Sequence, residues 1–358
     1  MATLCKIGAF DFLMTKKILI VKLSSIGDVM VSSSIPIAVK KNNNMIIHHM
    51  VMEHCAFVTQ NNPGIDKQVV LSFLPSGSYI KDALNLYRIS RQIIREKYDY
   101  VFIFHRNIVF QLLSFIWRIP KRYGFSSFIN CFYTKHLYYK FDINRTLQEC
   151  SLIKLSDIVF EDPKELFFNC SSSASNKSLD VCLPSNYYVC NPGGGNLHAP
   201  ADNRLWPIEN FAHLINRVSI PFVILGAGEN DSHRVSILKK LLDPGLIIDL
   251  VDQTSFDQSA LIIRQSIAYI GNDSSLMFLA TSMGTPALGL YGPTQSSAAK
   301  PLGVTSYAIL ADTPCSPCYD PYDGLRGKMY KCQNNICMQS ISPNRVYSEL
   351  MRISKKSL

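Results

Sequence analysis

The stretch VKLSSIGDVMVSS, beginning at Val21, sets an acid, Asp28, directly after Gly27, where a strand-like apolar run gives way to a helix-like one. A carboxylate at a helix start has two uses. It can cap the helix, or, held ionised by the positive end of the helix dipole, it can take a proton from an attacking hydroxyl. Gly27 has no Cβ to obstruct a ligand, Ser24 and Ser25 shape the loop or touch substrate, and Lys22 can serve an acceptor or a phosphate.

A second group of residues suits phosphate. CNPGGGN places Gly193, Gly194 and Gly195 between a strand and a helix, where backbone N–H groups approach an anion unhindered, although neither dinucleotide-binding nor P-loop spacing is present. In NDSSLMF, Asp273, Ser274 and Ser275 stand at another helix start, either as caps or as part of a diphosphate site. Near the end, Cys315, Cys318, Cys332 and Cys337 have spacing that can supply four thiolates to a structural Zn²⁺ or iron; free thiols or a disulfide are the other readings.

Alternating units must position these residues. KKILIVKL, NMIIHHMVM and YDYVFIF read as strands, DVMVSSSIPIAVKK and YIKDALNLYRISRQIIREK as helices, which is the βαβ pattern of a parallel sheet. Composition turns to Ser and Asn near residues 171–186, and alternation then restarts. The organisation expected is an N-terminal Rossmann-like domain over 1–170, a linker over 171–186, a second such domain over 187–340 and a C-terminal helix over 341–358. Two doubly wound domains leave a cleft at the carboxyl ends of their strands, where every polar motif above falls.

The chain has 358 residues, 47% hydrophobic and 18% charged, and no apolar run near the roughly 20 residues that span a bilayer. The opening MATLCKIGAFDFLMTKK does not read as a secretory signal, and scattered cysteines suit a reduced compartment, so a cytoplasmic location is expected. Of the net charge of +9, nearly all lies in residues 1–170, with 21 Lys and Arg against 13 Asp and Glu; the remainder has 15 against 14. A basic first half suits an anionic partner such as a phosphorylated glycolipid. The segment FQLLSFIWRIPKRYGFSSFINCFYTKHLYYK mixes aromatics with Arg118, Lys121 and Arg122, either a surface for anionic lipid or a core beneath a basic face; no nucleic-acid-binding signature accompanies it.

Taken in order, KILIVKLSSIGDV, NPGGG, RLWP, LGAGEND, GNDSSLMFLATSMGTPALGLYGPT and CSPCY resemble the ADP-heptose:lipopolysaccharide heptosyltransferases, glycosyltransferase family 9. The resemblance implies an α/β chain of GT-B architecture, two Rossmann-like doubly wound parallel-sheet domains facing across a cleft, with acceptor on the first and nucleotide-sugar on the second. It implies inverting transfer of a heptose from ADP-heptose to a lipopolysaccharide-core glycolipid, with no cofactor required, peripheral contact with the inner membrane surface, and Asp28 as catalytic base. Donor contacts fall by the same resemblance on Gly193, Gly194, Gly195, Arg204, Glu229, Asp273, Ser274, Ser275 and Leu276, and acceptor contacts on Lys22, Ser24, Ser25 and Gly27. A metal-holding cysteine finger in one branch of the family points the same way as the spacing of Cys315, Cys318, Cys332 and Cys337. The chain departs from the family at Phe278, which replaces a histidine and cannot donate a hydrogen bond to phosphate. The alternatives are a transferase using another sugar or a protein acceptor, and a degenerate relative that only binds nucleotide or anionic glycan.

Overall fold

The computed structural model describes residues 15–72, 77–126, 130–171, 181–194, 202–320 and 327–355. In the first half, strands β1 (Lys16–Val21), β2 (Met45–Met52), β3 (Lys67–Leu71), β4 (Tyr100–Ile103), β5 (Lys121–Phe125) and β6 (Lys135–Leu137) form one parallel sheet in the order β3-β2-β1-β4-β5-β6. In the second half, β7 (Tyr188–Asn191), β8 (Phe222–Ile224), β9 (Ile247–Asp249), β10 (Tyr269–Asn272), β11 (Ala287–Tyr291) and β12 (Ser306–Leu310) form another, ordered β12-β11-β10-β7-β8-β9. Both orders are the 3-2-1-4-5-6 arrangement of a doubly wound dinucleotide-type fold, and each reverses at its centre, between β1 and β4 and between β7 and β10. The central strands are buried over continuous apolar runs, ILIV at 18–21 and YVFI at 100–103, because helices cover both faces of a parallel sheet.

The helix expected after β1 is two helices, α1 (Ile26–Val31) and α2 (Ile35–Asn42). Pro36 explains the break: its ring cannot sit inside a continuous helix but is tolerated in the first turn of a new one, so the chain turns through Ser32–Ser34. Further helices of the first half are α3 (Tyr79–Glu96), α4 (Ile108–Ile116) and α5 (Arg145–Ile153). Those of the second are α6 (Ile208–Val218), α7 (Glu229–Leu241), α8 (Phe256–Gln265), α9 (Ser275–Ser282), the short α10 (Ser296–Ala299) and α11 (Ile336–Gln339), and α12 (Pro343–Ser354). The expected linker at 171–186 falls largely outside the described residues, which omit 172–180. The terminal helix is α12, and it packs Val346, Leu350 and Ile353 against Ile208, Phe211 and Ile215 of α6.

One apolar cluster crosses from the first half to the second. Val29, Met30 and Val31 of α1 share it with Leu276, Met277, Phe278, Leu279 and Ala280 of α9. The Asn144 amide donates to the Lys300 carbonyl at 2.8 Å and the Leu166 N–H to the Leu302 carbonyl at 3.2 Å, fastening the same seam.

Candidate active site

Asp28 lies in the first turn of α1, at the carboxyl end of β1 and therefore at the first sheet's switch point. Its Oδ2 accepts from the Ser25 backbone N–H at 3.1 Å and from the Ser25 hydroxyl at 3.4 Å, while Oδ1 meets Arg145 Nη1 at 3.2 Å. The carboxylate does cap its helix, and with 35% of its side chain exposed it still opens to the cleft. Burial alone would raise its pKa, but Lys22, Arg145 and the Ser25 N–H together hold it below the usual carboxylate value, so it is ionised at neutral pH.

Lys22 is not aimed at a ligand. Its Nζ lies 2.7 Å from Glu149 Oε1 in a buried ion pair, and it acts on Asp28 as a fixed positive charge from behind. His105 follows β4, the other switch-point strand, and its Nε2 accepts the Leu23 N–H at 2.6 Å. Burial, with Lys22 nearby, lowers its pKa to about 3, so the ring is neutral and its other nitrogen carries the proton. Gly27 faces α9 and not open cleft: a Cβ there would sit 3.7 Å from the Phe278 ring and from Ser275 Cα. Phe278, only 4% exposed, is thus the apolar wall where the two domains meet beside Asp28, and Ser24 and Ser25 are half-buried in the loop that carries it.

Across the seam, Asp273 follows β10 and Gly193 follows β7, the two switch-point strands of the second sheet. Asn272 ties them together, donating to the Pro192 and Gly193 carbonyls at 2.9 and 2.8 Å while its own oxygen accepts the Trp206 N–H at 2.9 Å. Asp231, in the first turn of α7, accepts from Gly194 N–H at 3.1 Å, Ala227 N–H at 3.1 Å and the Asn191 amide at 3.3 Å, so one carboxylate stitches both glycine loops. Gly193 is needed for that contact, since a Cβ there would lie 1.8 Å from Asp231 Oδ1. Gly194, at φ +114°, takes a conformation that favours glycine and lets the loop approach Ser274, the residue preceding α9. Gly195 lies outside the described residues.

Ser274 is at the cap position of α9 but its hydroxyl is 3.3 Å from the Tyr269 hydroxyl, leaving the first-turn N–H groups of Ser275 and Leu276 without a side-chain cap; the Leu276 side chain itself is buried in the seam. Arg204 stacks its guanidinium 4.8 Å from the Tyr319 ring centre, with Nη1 3.7 Å from Asp273 Oδ2. Arg204 Nε and Asp273 Oδ2 are both buried and have no hydrogen-bond partner within the chain, and the Arg204 side chain as a whole is 20% exposed. Glu229 is exposed at the start of α7, so the inward-facing acid of LGAGEND is Asp231.

A cavity of about 830 Å³ adjoins this region, with Phe141 and Asp142 of the first half facing Asn203, Gln295 and Tyr319 of the second. That is ample for a nucleotide-sugar. Cys315, Cys318, Cys332 and Cys337 line it too, yet among the described residues no three His, Cys, Asp or Glu side chains are gathered as metal ligands. Burial pushes the Cys318 and Cys337 thiols up in pKa, and the neighbouring cysteines of the same group push in the same direction. All described cysteines are free.

Arg145, Glu149, His105, Asn272 and Asp231 were not singled out in the sequence. Arg145 carried a weak signal: it opens α5 behind the cap residue Asn144, where the helix dipole mildly disfavours a cation, and the Asp28 carboxylate offsets that.

A family profile described as glycosyltransferase family 9 (heptosyltransferase) matches residues 86–327. The chain belongs to this family. It is accordingly a glycosyltransferase, and its two switch-point sheets are the GT-B pair. Lipopolysaccharide heptosyltransferase 1 of Campylobacter coli is 23% identical over 298 residues, covering 78% of this chain and 85% of that protein. Lipopolysaccharide heptosyltransferase 2 of Escherichia coli K12 is 21% identical, covering 80% and 85%. The solved E. coli ADP-heptose lipopolysaccharide heptosyltransferase II superposes with a TM-score of 0.73 at 18% identity, over 95% of this chain and 99% of that one, which shows the shared fold. In this glycosyltransferase, among the described residues, no helix is long and apolar enough to cross a membrane.

Proposed function

We propose that the enzyme transfers a heptose from an ADP-sugar to a lipopolysaccharide-core or similar glycan acceptor, with inversion, in the cytoplasm. What carries the reading is an ionised carboxylate, Asp28, open to the cleft and facing a second domain that offers Arg204 and the first turn of α9. The names of the relatives supply the heptose and the ADP. The acceptor oxygen forms its bond to the anomeric carbon as that carbon's bond to the diphosphate breaks. The hydroxyl proton passes to Asp28, and the departing diphosphate's charge is met by Arg204 and the α9 N–H groups without proton donation. Arg145 keeps Asp28 ionised, and Gly193, Gly194, Ser274, Ser275 and Leu276 form the donor cradle that Asp231 and Asn272 hold in shape. A lipid-anchored core acceptor places the reaction at the inner membrane's cytoplasmic face.

Calorimetric binding of ADP, UDP, GDP and CDP to the wild type and to Asp28→Ala tests the donor assignment, followed by transfer from ADP-heptose to a core acceptor. Selective ADP binding that survives the substitution, with transfer abolished, is expected. If no nucleotide binds, the donor cradle is refuted.

A further inference from the structure

Helix α4 is built the wrong way round for a soluble surface. Ile108, Val109, Leu112, Phe115 and Ile116, spaced as one helical stripe, are 41–54% exposed, while Gln111 and Ser114 of the same helix are buried. Next to it, α3 turns out Ile80, Leu84, Tyr87 and Ile94 along a second stripe. The two helices cover the same sheet face: Ile93 of α3 packs with Phe110 of α4 and with Trp117, whose indole N–H donates to the Ser90 hydroxyl at 2.8 Å. An apolar area of this extent on a protein surface marks something that covers it.

Charge indicates what. Lys81, Arg88, Arg91 and Arg95 of α3 and Arg118 after α4 are exposed around these stripes, with Arg91 over the Tyr87 ring. The acids of α3, Asp82 and Glu96, are half-buried, and Glu96 is taken by Lys17 and Lys67. Of the two further basic residues the sequence offers for such a patch, Lys121 is held by Asp157, while Arg122 donates to the carbonyls of Phe132, Ile119 and Pro120 and lies 5.5 Å over the Phe115 ring at the edge of the α4 stripe. A second copy of the chain would bring arginines against arginines, whereas apolar side chains fringed by cations fit an anionic bilayer.

We propose that the outward faces of α3 and α4 form a docking surface for an anionic membrane, the apolar stripe of α4 entering the headgroup layer and the α3 arginines meeting lipid phosphates. α4 follows β4, so this surface begins at the same strand end that carries His105 behind Asp28. A membrane-embedded acceptor would then be presented at the mouth of the cleft, a consequence that rests on the proposed glycolipid acceptor; the docking itself does not.

The test is flotation of the full chain with phosphatidylcholine vesicles, with and without phosphatidylglycerol, in the absence of donor and acceptor. Binding is expected only with the anionic lipid and weakened by salt. Each cation near such a surface contributes roughly fivefold, so Arg88→Glu with Arg91→Glu should weaken binding by about 25-fold or more. Leu112→Glu with Phe115→Glu should abolish it with unchanged melting and ADP affinity, because both residues are already exposed. Absence of wild-type binding overturns the proposal, as does equal binding to neutral vesicles. A dimer in light scattering that Leu112→Glu with Phe115→Glu dissolves would instead assign the surface to a second copy. Failure of ADP binding with vesicle binding intact would count against the proposed function alone.

Discussion

Replacing Asp28 with Asn separates a proton acceptor from a helix cap. The amide oxygen can still accept the Ser25 N–H that Asp28 Oδ2 takes at 3.1 Å, so the start of α1 is preserved. What is lost is the charge facing Arg145 at 3.2 Å. That ion pair is about a third exposed on the Asp28 side, so its contribution to stability is discounted to about 1 kcal/mol or less, which for a domain of this size is a fall of about 2–4 °C in melting temperature. Loss of a general base costs about 10²–10⁴ in kcat, or roughly 3–5 kcal/mol on the barrier. The two scales differ enough to be told apart. The assay is single-turnover transfer from ADP-heptose, beside thermal melting and ADP calorimetry. Expected are a kcat at least 100-fold lower, ADP affinity within about threefold of wild type, and a melting shift of a few degrees. A kcat within tenfold of wild type would reduce Asp28 to its capping role, and parallel loss of ADP binding and stability would make the defect structural.

Other outcomes follow from the same geometry. Arg145→Met should let the Asp28 pKa rise; since the carboxyl can accept the proton only when ionised, the acid limb of kcat/KM should move to higher pH, and an unmoved limb would remove Arg145 from the pairing. Lys22→Met removes the partner of buried Glu149, whose pKa burial already raises, so the acid either stays charged uncompensated or must take up a proton, and the substitution should cost about 3–5 kcal/mol in urea unfolding, with Lys22→Met/Glu149→Met recovering most of it. Gly193→Ala forces a Cβ to within 1.8 Å of Asp231 Oδ1, so the donor loop must shift and ADP affinity should fall by about tenfold or more, roughly 1.4 kcal/mol, in calorimetry. His49 is 1% exposed and burial lowers its pKa to about 3; the unfolded chain then binds a proton below about 6.5 that the folded one refuses, so stability should fall by roughly 2 kcal/mol between neutrality and pH 5 from this residue alone. His49→Gln should flatten that slope.

The fold was legible because its signal is repetitive. Eight or more apolar runs alternating with amphipathic ones admit few arrangements other than parallel sheets, and the glycines and acids stood where those strands end. The break at Pro36 was written in the chain as well, but was masked by the apolar periodicity on either side. Less legible were residues whose meaning depends on a partner far away in sequence. Glu229 and Asp231 are two residues apart in LGAGEND, and only the direction of α7 decides that the first points to solvent while the second holds Gly194 and Ala227. Lys22 read as a ligand contact because its neighbours are loop residues; that it turns inward to Glu149, 127 positions later, is a property of how α5 packs.

Phe278 shows why a departure from a family pattern has to be judged in three dimensions. As a letter in DSSLMF it is a lost hydrogen-bond donor. In the fold its ring lies against Gly27, one residue before Asp28, within the apolar cluster that joins α1 to α9. Gly27 and Phe278 are therefore neighbours across the seam, with room for a Cβ at 27 in ordinary contact with the ring, where the domain carrying Asp28 meets the one carrying Asp273 and Arg204. A polar ring at 278 would sit in the apolar cluster with Val29, Met30 and Leu279 with a nitrogen to satisfy, whereas phenyl packs there beside a carboxylate whose ionisation Lys22 and Arg145 favour. In this chain position 278 therefore contributes packing between the domains, and under the proposed function the positive groups met by the diphosphate are Arg204 and the first turn of α9.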